Sequence, residues 1–130
     1  MILSTKKFDK YTDPTGSLVP FYKDKSLNNF NIKRFFFLYG KTTKPRADHA
    51  HKKCNQIYIP IHGSAHIEIT NVKNNKKKIK LNTKNKKFLF VPVMHWIKIN
   101  FLEKNSILLV LCDYKYNKKE YIQNKEEFLK

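Results

Sequence analysis

Arginine is scarce in this basic chain. Of 27 basic residues among 130, only Arg34 and Arg46 are arginines, and the formal net charge is +17. Proteins that read bases or grip phosphates favour arginine, whose planar fork binds two acceptors, whereas dispersed lysines mainly confer solubility and a diffuse field. The composition therefore makes a nucleic-acid binder the most distant alternative. The same positive field would still attract a small anionic substrate.

Cysteines and long apolar segments are also scarce. Cys54 and Cys112 lack CxxC spacing and are predicted to be buried, reduced thiols. The N-terminus has no apolar signal-peptide core, and no run approaches the roughly 20 residues of a membrane helix. A soluble cytoplasmic protein without membrane contact is expected. A chain of 130 residues leaves room for a single domain, over residues 1–130.

Short β-prone segments separated by turns fill most of the chain. The strongest turn is Asp13-Pro14-Thr15-Gly16, because proline fixes φ and glycine permits positive φ. The apolar run over residues 30–39 predicts a strand buried on both faces. Only residues 120–130 have helical character. The pattern predicts an all-β barrel or sandwich, with strands near residues 2–3, 17–22, 30–39, 49–51, 56–61, 65–70, 79–81, 88–92, 95–99 and 107–111.

Two imidazoles, His49 and His51, stand two positions apart in this β-prone context. Side chains alternate faces along a strand, so both rings are expected to point into one cavity. Histidine titrates near neutrality and therefore suits the transfer of protons to and from a substrate. The pair is the candidate centre of an acid–base site, and the alternative is ordinary polar lining of a barrel.

The pattern His49-x-His51, followed by Gln56 and Gly63, resembles the first motif of the cupins. In metal-binding cupins a glutamate usually stands at the position of Gln56, and a later strand supplies a third histidine, which His95 matches loosely. A neutral amide is a much poorer donor to a divalent cation than a carboxylate. We therefore expect no metal or other cofactor, and a metal-dependent cupin enzyme is an alternative.

A longer series of motifs spans residues 13–128 in order and spacing. The motifs are Asp13-x-x-Gly16-Ser17-Leu18, Phe30-x-Ile32-Lys33-Arg34, Arg46-x-x-His49-Ala50-His51-Lys52, Val91-Pro92 with Trp96, and Asp113-Tyr114-x-Tyr116 with Tyr121-Ile122 and Phe128. Together they resemble the sugar 3,4-ketoisomerases that act on dTDP-4-keto-6-deoxyhexoses. The resemblance implies a small cupin-like jelly roll with a short C-terminal helix, and a homodimer that exchanges an N-terminal strand.

The activity implied by this resemblance is conversion of dTDP-4-keto-6-deoxyglucose to a 3-keto isomer through an enediol. This isomerisation is a step toward 3-amino-3,6-dideoxy sugars of surface polysaccharide. A sugar-nucleotide-binding cupin without catalytic activity is the alternative from another functional class.

The implied chemistry assigns roles to further residues. His49 is predicted to be the base at C3 and His51 the proton shuttle, although the two roles are exchangeable. Arg46 and Tyr39 are candidates to stabilise the enediolate oxygen. The predicted substrate-binding residues are Arg34 and Lys52 at the diphosphate, Trp96, Tyr114 and Tyr116 at the thymine ring, and Gln56 and His95.

Five positions, in three segments, depart from the family pattern. Ala47 stands where glycine is usual before the histidine pair. Phe36-Phe37 replaces a pair of tyrosines, which leaves Tyr39 as the nearest phenol. Near the end of the chain, Glu120 and Gln123 stand where aspartate and arginine are common.

Overall fold

Strands dominate the computed structural model, which describes residues 2–22, 27, 29–42 and 44–130. One short helix, α1 (Lys125–Phe128), lies near the C-terminus after a 3-10 turn at Lys118–Glu120. The strands of the described residues are β1 (Ser4–Lys7), β2 (Tyr11–Asp13), β3 (Gly16–Leu18), β4 (Arg34–Tyr39), β5 (Arg46–His51), β6 (Gln56–His62), β7 (Ser64–Thr70), β8 (Lys76–Asn82), β9 (Lys87–Val91), β10 (Trp96–Phe101), β11 (Ile107–Cys112) and β12 (Tyr121–Ile122).

The predicted all-β fold with a short C-terminal helix is therefore confirmed. The helix is shorter than the helical character of residues 120–130 suggested, because Tyr121–Ile122 pairs with β5 as strand β12. In the part of the chain that the structure describes, no helix is long and apolar enough to cross a membrane.

Two five-stranded antiparallel sheets make up the body of the fold. The first has the order β1-β9-β6-β11-β4 and the second the order β12-β5-β10-β7-β8. Both sheets contribute alternate residues to one apolar core, as expected for a sandwich whose two inner faces interdigitate. Among the fully buried residues of this core are Ile67, Leu81, Leu89, Ile99 and Val110.

The apolar run that contains β4 is buried on one face only, so the prediction of burial on both faces was wrong. Phe35 and Phe37 are 61% and 46% exposed, and their rings lie edge to face on the outer surface. Phe36 and Leu38 pack against the core instead. The strand lies at the edge of its sheet, and the two exposed phenylalanine side chains point away from the core.

A second apolar cluster supports the outer face of the other sheet. Ala50 of β5 and Trp96 of β10 are buried there with Ile122 of β12 and Phe128 of α1. The Trp96 and Phe128 rings lie 5.7 Å apart. The C-terminal residues thus cover the back of the strand whose inner face carries the histidine pair.

Strand β5 contains a bulge immediately before the histidines. Its pairing with β10 shifts between His49 and Ala47, and both Ala47 (φ 68°) and Asp48 (φ 62°) have left-handed backbone. An extra residue on one strand bends it and redirects the side chains that follow. The Asp48 carboxylate accepts a hydrogen bond from the Trp96 indole at 2.9 Å, which fixes the bulge to β10.

Replacing Ala47 by glycine is expected to stabilise the fold by about 0.5–1 kcal/mol, because glycine avoids the Cβ clash of left-handed backbone. Ala50→Gly is the matched control in the same strand. Ala50 is fully buried and its φ is not positive, so its replacement should destabilise the protein. Urea unfolding of the three proteins measures both changes, and a loss of stability in Ala47→Gly would contradict the assignment of strain.

Candidate active site

His49 and His51 form the centre of a polar cluster between the two sheets. Their ring centroids lie 4.8 Å apart, and the two planes are nearly perpendicular. Ala50, between them in sequence, is buried on the opposite face of β5, so the two imidazoles share the inner face as period-two alternation requires. His51 is 3% exposed, whereas His49 is only partly buried.

Glu120 holds the deeper imidazole in place. Its Oε2 atom lies 2.5 Å from His51 Nδ1, and the carboxylate is buried. The other oxygen, Oε1, accepts hydrogen bonds from the backbone N–H groups of Lys53 and Cys54 at 3.2 and 3.1 Å. His51 Nε2 is buried and has no hydrogen-bond partner among the residues that the structure describes. The Nδ1 nitrogen of His51 is thus held by a carboxylate, and the second nitrogen, Nε2, is available to exchange a proton.

The two imidazoles differ in their electrostatic surroundings. Burial lowers the pKa of His49 to about 4, with a further contribution from the neighbouring His51. Burial also lowers the pKa of His51, although the contact with Glu120 opposes this shift. His49 is therefore neutral at physiological pH with a lone pair available, and His51 has a carboxylate that would stabilise its protonated form.

Tyr121 covers both imidazoles. Its ring centroid lies 5.0 Å from that of His49 and 4.3 Å from that of His51. Arg34, on the inner face of β4 in the opposite sheet, donates a hydrogen bond from Nη2 to the Tyr121 hydroxyl at 3.3 Å. The Arg34 guanidinium also lies over the ring of Tyr116, 5.5 Å from its centroid. The cluster therefore joins residues from both sheets and from the C-terminal segment.

Loops at this end of the fold are tied together by Asn55. Its backbone and side-chain N–H groups donate to the two carboxylate oxygens of Asp113, both at 2.7 Å. Its side-chain oxygen accepts from the backbone of Val93 at 2.9 Å. The backbone N–H of Met94 donates to the carbonyl of His51 at 2.8 Å. These bonds fix three loops around the histidine pair.

Both polar atoms of the Gln56 side-chain amide form hydrogen bonds inside the fold. Its Oε1 accepts from the Tyr58 hydroxyl at 2.7 Å, and its Nε2 donates to Cys112 Sγ at 3.4 Å. The residue is 2% exposed, so the structure does not bring it to the open side of the cluster. Within the described residues, no group of three or more His, Cys, Asp or Glu side chains is arranged to hold a metal ion.

Three of the other predicted site residues lie near the histidines. Arg34 contacts Tyr121 directly. Tyr116 is 64% exposed at the rim, with its ring 5.8 Å from that of Tyr121. Lys52 follows His51, and its backbone N–H donates to the carbonyl of Glu120 at 2.8 Å while its side chain is exposed. These three residues therefore lie within the cluster or directly beside it.

Tyr39 and Trp96 are not brought to the cluster. Tyr39 is 69% exposed and lies five residues beyond Arg34, on the outer face of β4. It faces away because the inner positions of that strand are Arg34, Phe36 and Leu38. Trp96 is buried behind β5 against Phe128. A ligand on the inner face of β5 would reach neither side chain.

Three further predicted site residues lie outside the cluster of the histidine pair: Arg46, Tyr114 and His95. Arg46 begins β5, is exposed, and makes no contact with the imidazoles in the described structure. Tyr114 is partly buried against the main core. His95 follows the loop of Met94, with Nδ1 3.2 Å from the carbonyl oxygen of Pro92 and 3.1 Å from that of Val93. In the described part of the chain, none of the three forms a hydrogen bond or a ring contact with the histidine pair.

Two residues of the cluster, Glu120 and Tyr121, were missed as site residues in the sequence. They lie some 70 positions after the histidines and arrive through the pairing of Tyr121 with His51 in β12 and β5. The available signal was the acidic residue at position 120, where the resembling family commonly has aspartate. A two-residue strand has too little pattern to be predicted locally.

Comparison with known families and proteins gives consistent matches. The model of the family described as FdtA: WxcM-like, C-terminal, matches residues 1–130. A TDP-4-oxo-6-deoxy-alpha-D-glucose-3,4-oxoisomerase from Aneurinibacillus thermoaerophilus is 30% identical over 124 residues, which cover 95% of this chain and 87% of that protein.

Solved structures of similar proteins extend the match to the fold. A 3,4-ketoisomerase from Helicobacter canadensis superposes with a TM-score of 0.87 at 35% identity, covering 99% of this chain and 96% of that one. QdtA, a sugar 3,4-ketoisomerase from Thermoanaerobacterium thermosaccharolyticum, superposes as a histidine-to-asparagine variant in complex with TDP-4-keto-6-deoxyglucose. Its TM-score is 0.86 at 26% identity, with coverage of 98% and 91%.

Proposed function

Because the chain belongs to the FdtA, WxcM-like family of sugar-nucleotide 3,4-ketoisomerases, we propose that it converts dTDP-4-keto-6-deoxyglucose to the 3-keto isomer as a single-domain enzyme. The observation that carries this proposal is the pair of imidazoles 4.8 Å apart on one inner face, one of them backed by a buried carboxylate. Moving a ketone between adjacent carbons needs one group that removes a proton and one that returns it.

The first step is removal of the proton at C3, which is acidified by the neighbouring C4 carbonyl. His49 takes this proton, because its ring is neutral at physiological pH and lies on the more open side of the pair. The C3–H electron pair becomes the C3=C4 double bond, and the carbonyl pair moves to the C4 oxygen. The product of this step is an enediolate that retains both oxygens and carries its negative charge on the C4 oxygen.

The second step returns a proton to C4. The 3-hydroxyl loses its proton as the C3 carbonyl forms, the electrons of the double bond take a proton at C4, and the C4 oxygen takes the other proton to become a hydroxyl. His51 transfers these protons through its unpartnered Nε2 atom. Its contact with Glu120 stabilises the imidazolium that forms transiently. The atoms balance without an external oxidant or reductant, since only the positions of hydrogen and of the double bond change.

The nucleotide is held at the rim of the same cluster. Tyr116 has an exposed ring beside the site, on which a thymine base can stack. Lys52 presents an exposed ammonium group directly after His51, where it can meet the diphosphate. A related enzyme binds TDP-4-keto-6-deoxyglucose in a similar fold. These groups would anchor the substrate and leave its hexose at the imidazoles.

The working form is proposed to be a homodimer in the cytoplasm that exchanges an N-terminal strand. Strands β2 and β3 form a separate two-stranded sheet whose residues are all exposed. An isolated hairpin is at best marginally stable in water. Tyr11 and Leu18 of this hairpin are 59% and 61% exposed, which suits burial against a second copy.

The free thiols Cys54 and Cys112 are compatible with a reducing compartment.

Nuclear magnetic resonance of the reaction in deuterated water tests the proposed function. An active isomerase should produce the 3-keto sugar with deuterium incorporated at C4, because the proton that enters there comes from the protein and solvent. A protein that binds dTDP but leaves the sugar unchanged and unlabelled would be a binding cupin without catalytic activity.

We further expect turnover to be insensitive to chelators. Gln56 stands where a metal-binding cupin has a carboxylate, and its amide is already bonded to Tyr58 and Cys112. Elemental analysis of the purified protein and assays before and after dialysis against EDTA measure this expectation. One tightly bound iron or zinc ion per chain, with activity lost on its removal and restored on its return, would contradict it.

A further inference from the structure

Tyr121 lies beside the proposed base and the proposed proton shuttle, but neither of these two roles involves it. It is the direct cross-strand partner of His51 in the antiparallel pair of β12 and β5, so its ring projects to the same inner face. Its ring lies against both imidazoles, with centroid distances of 5.0 Å to His49 and 4.3 Å to His51. A substrate carbon within reach of His49 and His51 would therefore also lie close to the Tyr121 ring and its hydroxyl.

Arg34 lies half-buried next to that hydroxyl. Its Nη2 atom donates to the Tyr121 oxygen at 3.3 Å, and its guanidinium lies over the rings of Phe36 and Tyr116. Arg34 Nε is buried, and no described residue forms a hydrogen bond with it. No carboxylate among the described residues forms an ion pair with this cation. The uncompensated charge is directed at the phenol that covers the histidines.

Resting on the proposed function, we propose that Tyr121 is a catalytic residue that donates a hydrogen bond to the C4 oxygen of the substrate, and that Arg34 is its positioning residue. When the C3–H electron pair forms the C3=C4 bond, negative charge develops on that oxygen. The phenolic proton stays on Tyr121 and bonds to the developing oxyanion. When the C3 carbonyl forms, the C4 oxygen takes a proton, its negative charge is neutralised and the hydrogen bond from Tyr121 weakens again.

The geometry leaves the proton of Tyr121 available for this purpose. Its oxygen accepts from Arg34, so its own O–H group is free to donate. A cation at the oxygen polarises the O–H bond and strengthens donation to a negative acceptor. Burial raises the pKa of Tyr121, so the phenol remains protonated at neutral pH. Preorganised donors in partly dry sites are among the larger contributions to enzymatic rates.

This inference gives Arg34 a role different from the diphosphate contact expected from the sequence. It also replaces Tyr39 by Tyr121 as the phenol of the site. Assigning the phenol to Tyr121 and assigning it to Tyr39 predict opposite results for Tyr121→Phe and Tyr39→Phe. Each variant removes one hydroxyl and retains the ring. Tyr39→Phe serves as the matched variant, because its hydroxyl lies on the outer face of β4.

The test measures steady-state kinetics of both variants with dTDP-4-keto-6-deoxyglucose, and dTDP affinity by calorimetry. Tyr121→Phe should lower kcat by about 10²–10³-fold with little change in KM or in dTDP affinity, and Tyr39→Phe should resemble wild type. Deuterium exchange at C3 should fall in parallel with product formation in Tyr121→Phe, because both need the enediolate. A variant that lacks only the proton shuttle would keep exchange and lose product.

Arg34→Gln separates the two roles of the arginine. If Arg34 positions Tyr121, kcat falls and dTDP affinity is unchanged; a large loss of dTDP affinity with normal kcat would place Arg34 at the diphosphate and overturn its assigned role. Wild-type kcat in a Tyr121→Phe protein that binds dTDP normally would overturn the inference alone. An inactive wild-type protein would overturn the proposed function and, with it, this inference. If Tyr121→Phe fails to fold, the Arg34→Gln result decides.

Discussion

Replacing His49 by asparagine is expected to lower turnover by about 10²–10⁴-fold, the usual contribution of a general base. The nucleotide should bind with nearly wild-type affinity, because Tyr116 and Lys52 lie outside the imidazole pair. Asparagine is smaller than histidine and polar, so the partly buried position should tolerate it. Initial rates with the keto sugar and calorimetric titration with dTDP measure the two properties separately.

The companion variant His51→Asn should also lose turnover, but with a different isotopic signature. If His49 is the base, deuterium still enters C3 of the recovered substrate in His51→Asn and no longer does so in His49→Asn. The reverse pattern would exchange the two roles. His62→Asn is the control, because His62 is exposed at the other end of β6. Wild-type turnover in both active-site variants together with lost dTDP binding would make the histidines ligand-holding groups.

Glu120 should be the most sensitive position outside the imidazoles. Glu120→Ala leaves the His51 Nδ1 atom and the N–H groups of Lys53 and Cys54 without their acceptor in a buried place. Breaking a buried network of this kind typically costs about 3–5 kcal/mol. Urea unfolding should therefore show a large loss of stability in Glu120→Ala.

Glu120→Gln distinguishes the charge of this residue from its shape. The amide keeps the volume and one acceptor oxygen, so most of the stability should return. The negative charge that stabilises the His51 imidazolium is lost, and turnover should remain at least about tenfold below wild type. Glu126→Ala, which removes an exposed carboxylate of α1, is the control. Wild-type turnover in Glu120→Gln would show that Glu120 only supports the fold.

The histidine pair was predictable because its geometry is local. Two residues at period two in a strand share a face whatever the rest of the chain does, and His49 and His51 do. The side of the sheet faced by residues 34–39 was not predictable in the same way. A continuous apolar run carries no alternation, so nothing in it indicated that Arg34 points inward and Tyr39 outward.

The remaining residues of the cluster depend on long-range pairing. Glu120 and Tyr121 reach the histidines because a short C-terminal strand adds to the edge of β5. Gln56 was expected to meet the ligand, but two hydrogen bonds inside the sheets occupy its amide. Neither a register between distant segments nor the internal partner of a buried amide can be read from residue spacing. The family resemblance did indicate position 120, through its usual acidic residue.

The hydrogen bond between Trp96 and Asp48 has a spectroscopic consequence. Trp96 is the chain's single tryptophan, is 3% exposed, and lies behind the strand that carries the imidazoles. The tryptophan fluorescence of the protein therefore comes from one ring. The indole N–H of that ring donates a hydrogen bond to Asp48 in the bulge of β5. The emission maximum and lifetime should change when that bulge moves, so the protein contains an optical reporter of its histidine-bearing strand. Ligand titrations and unfolding of this region can be followed without an added dye.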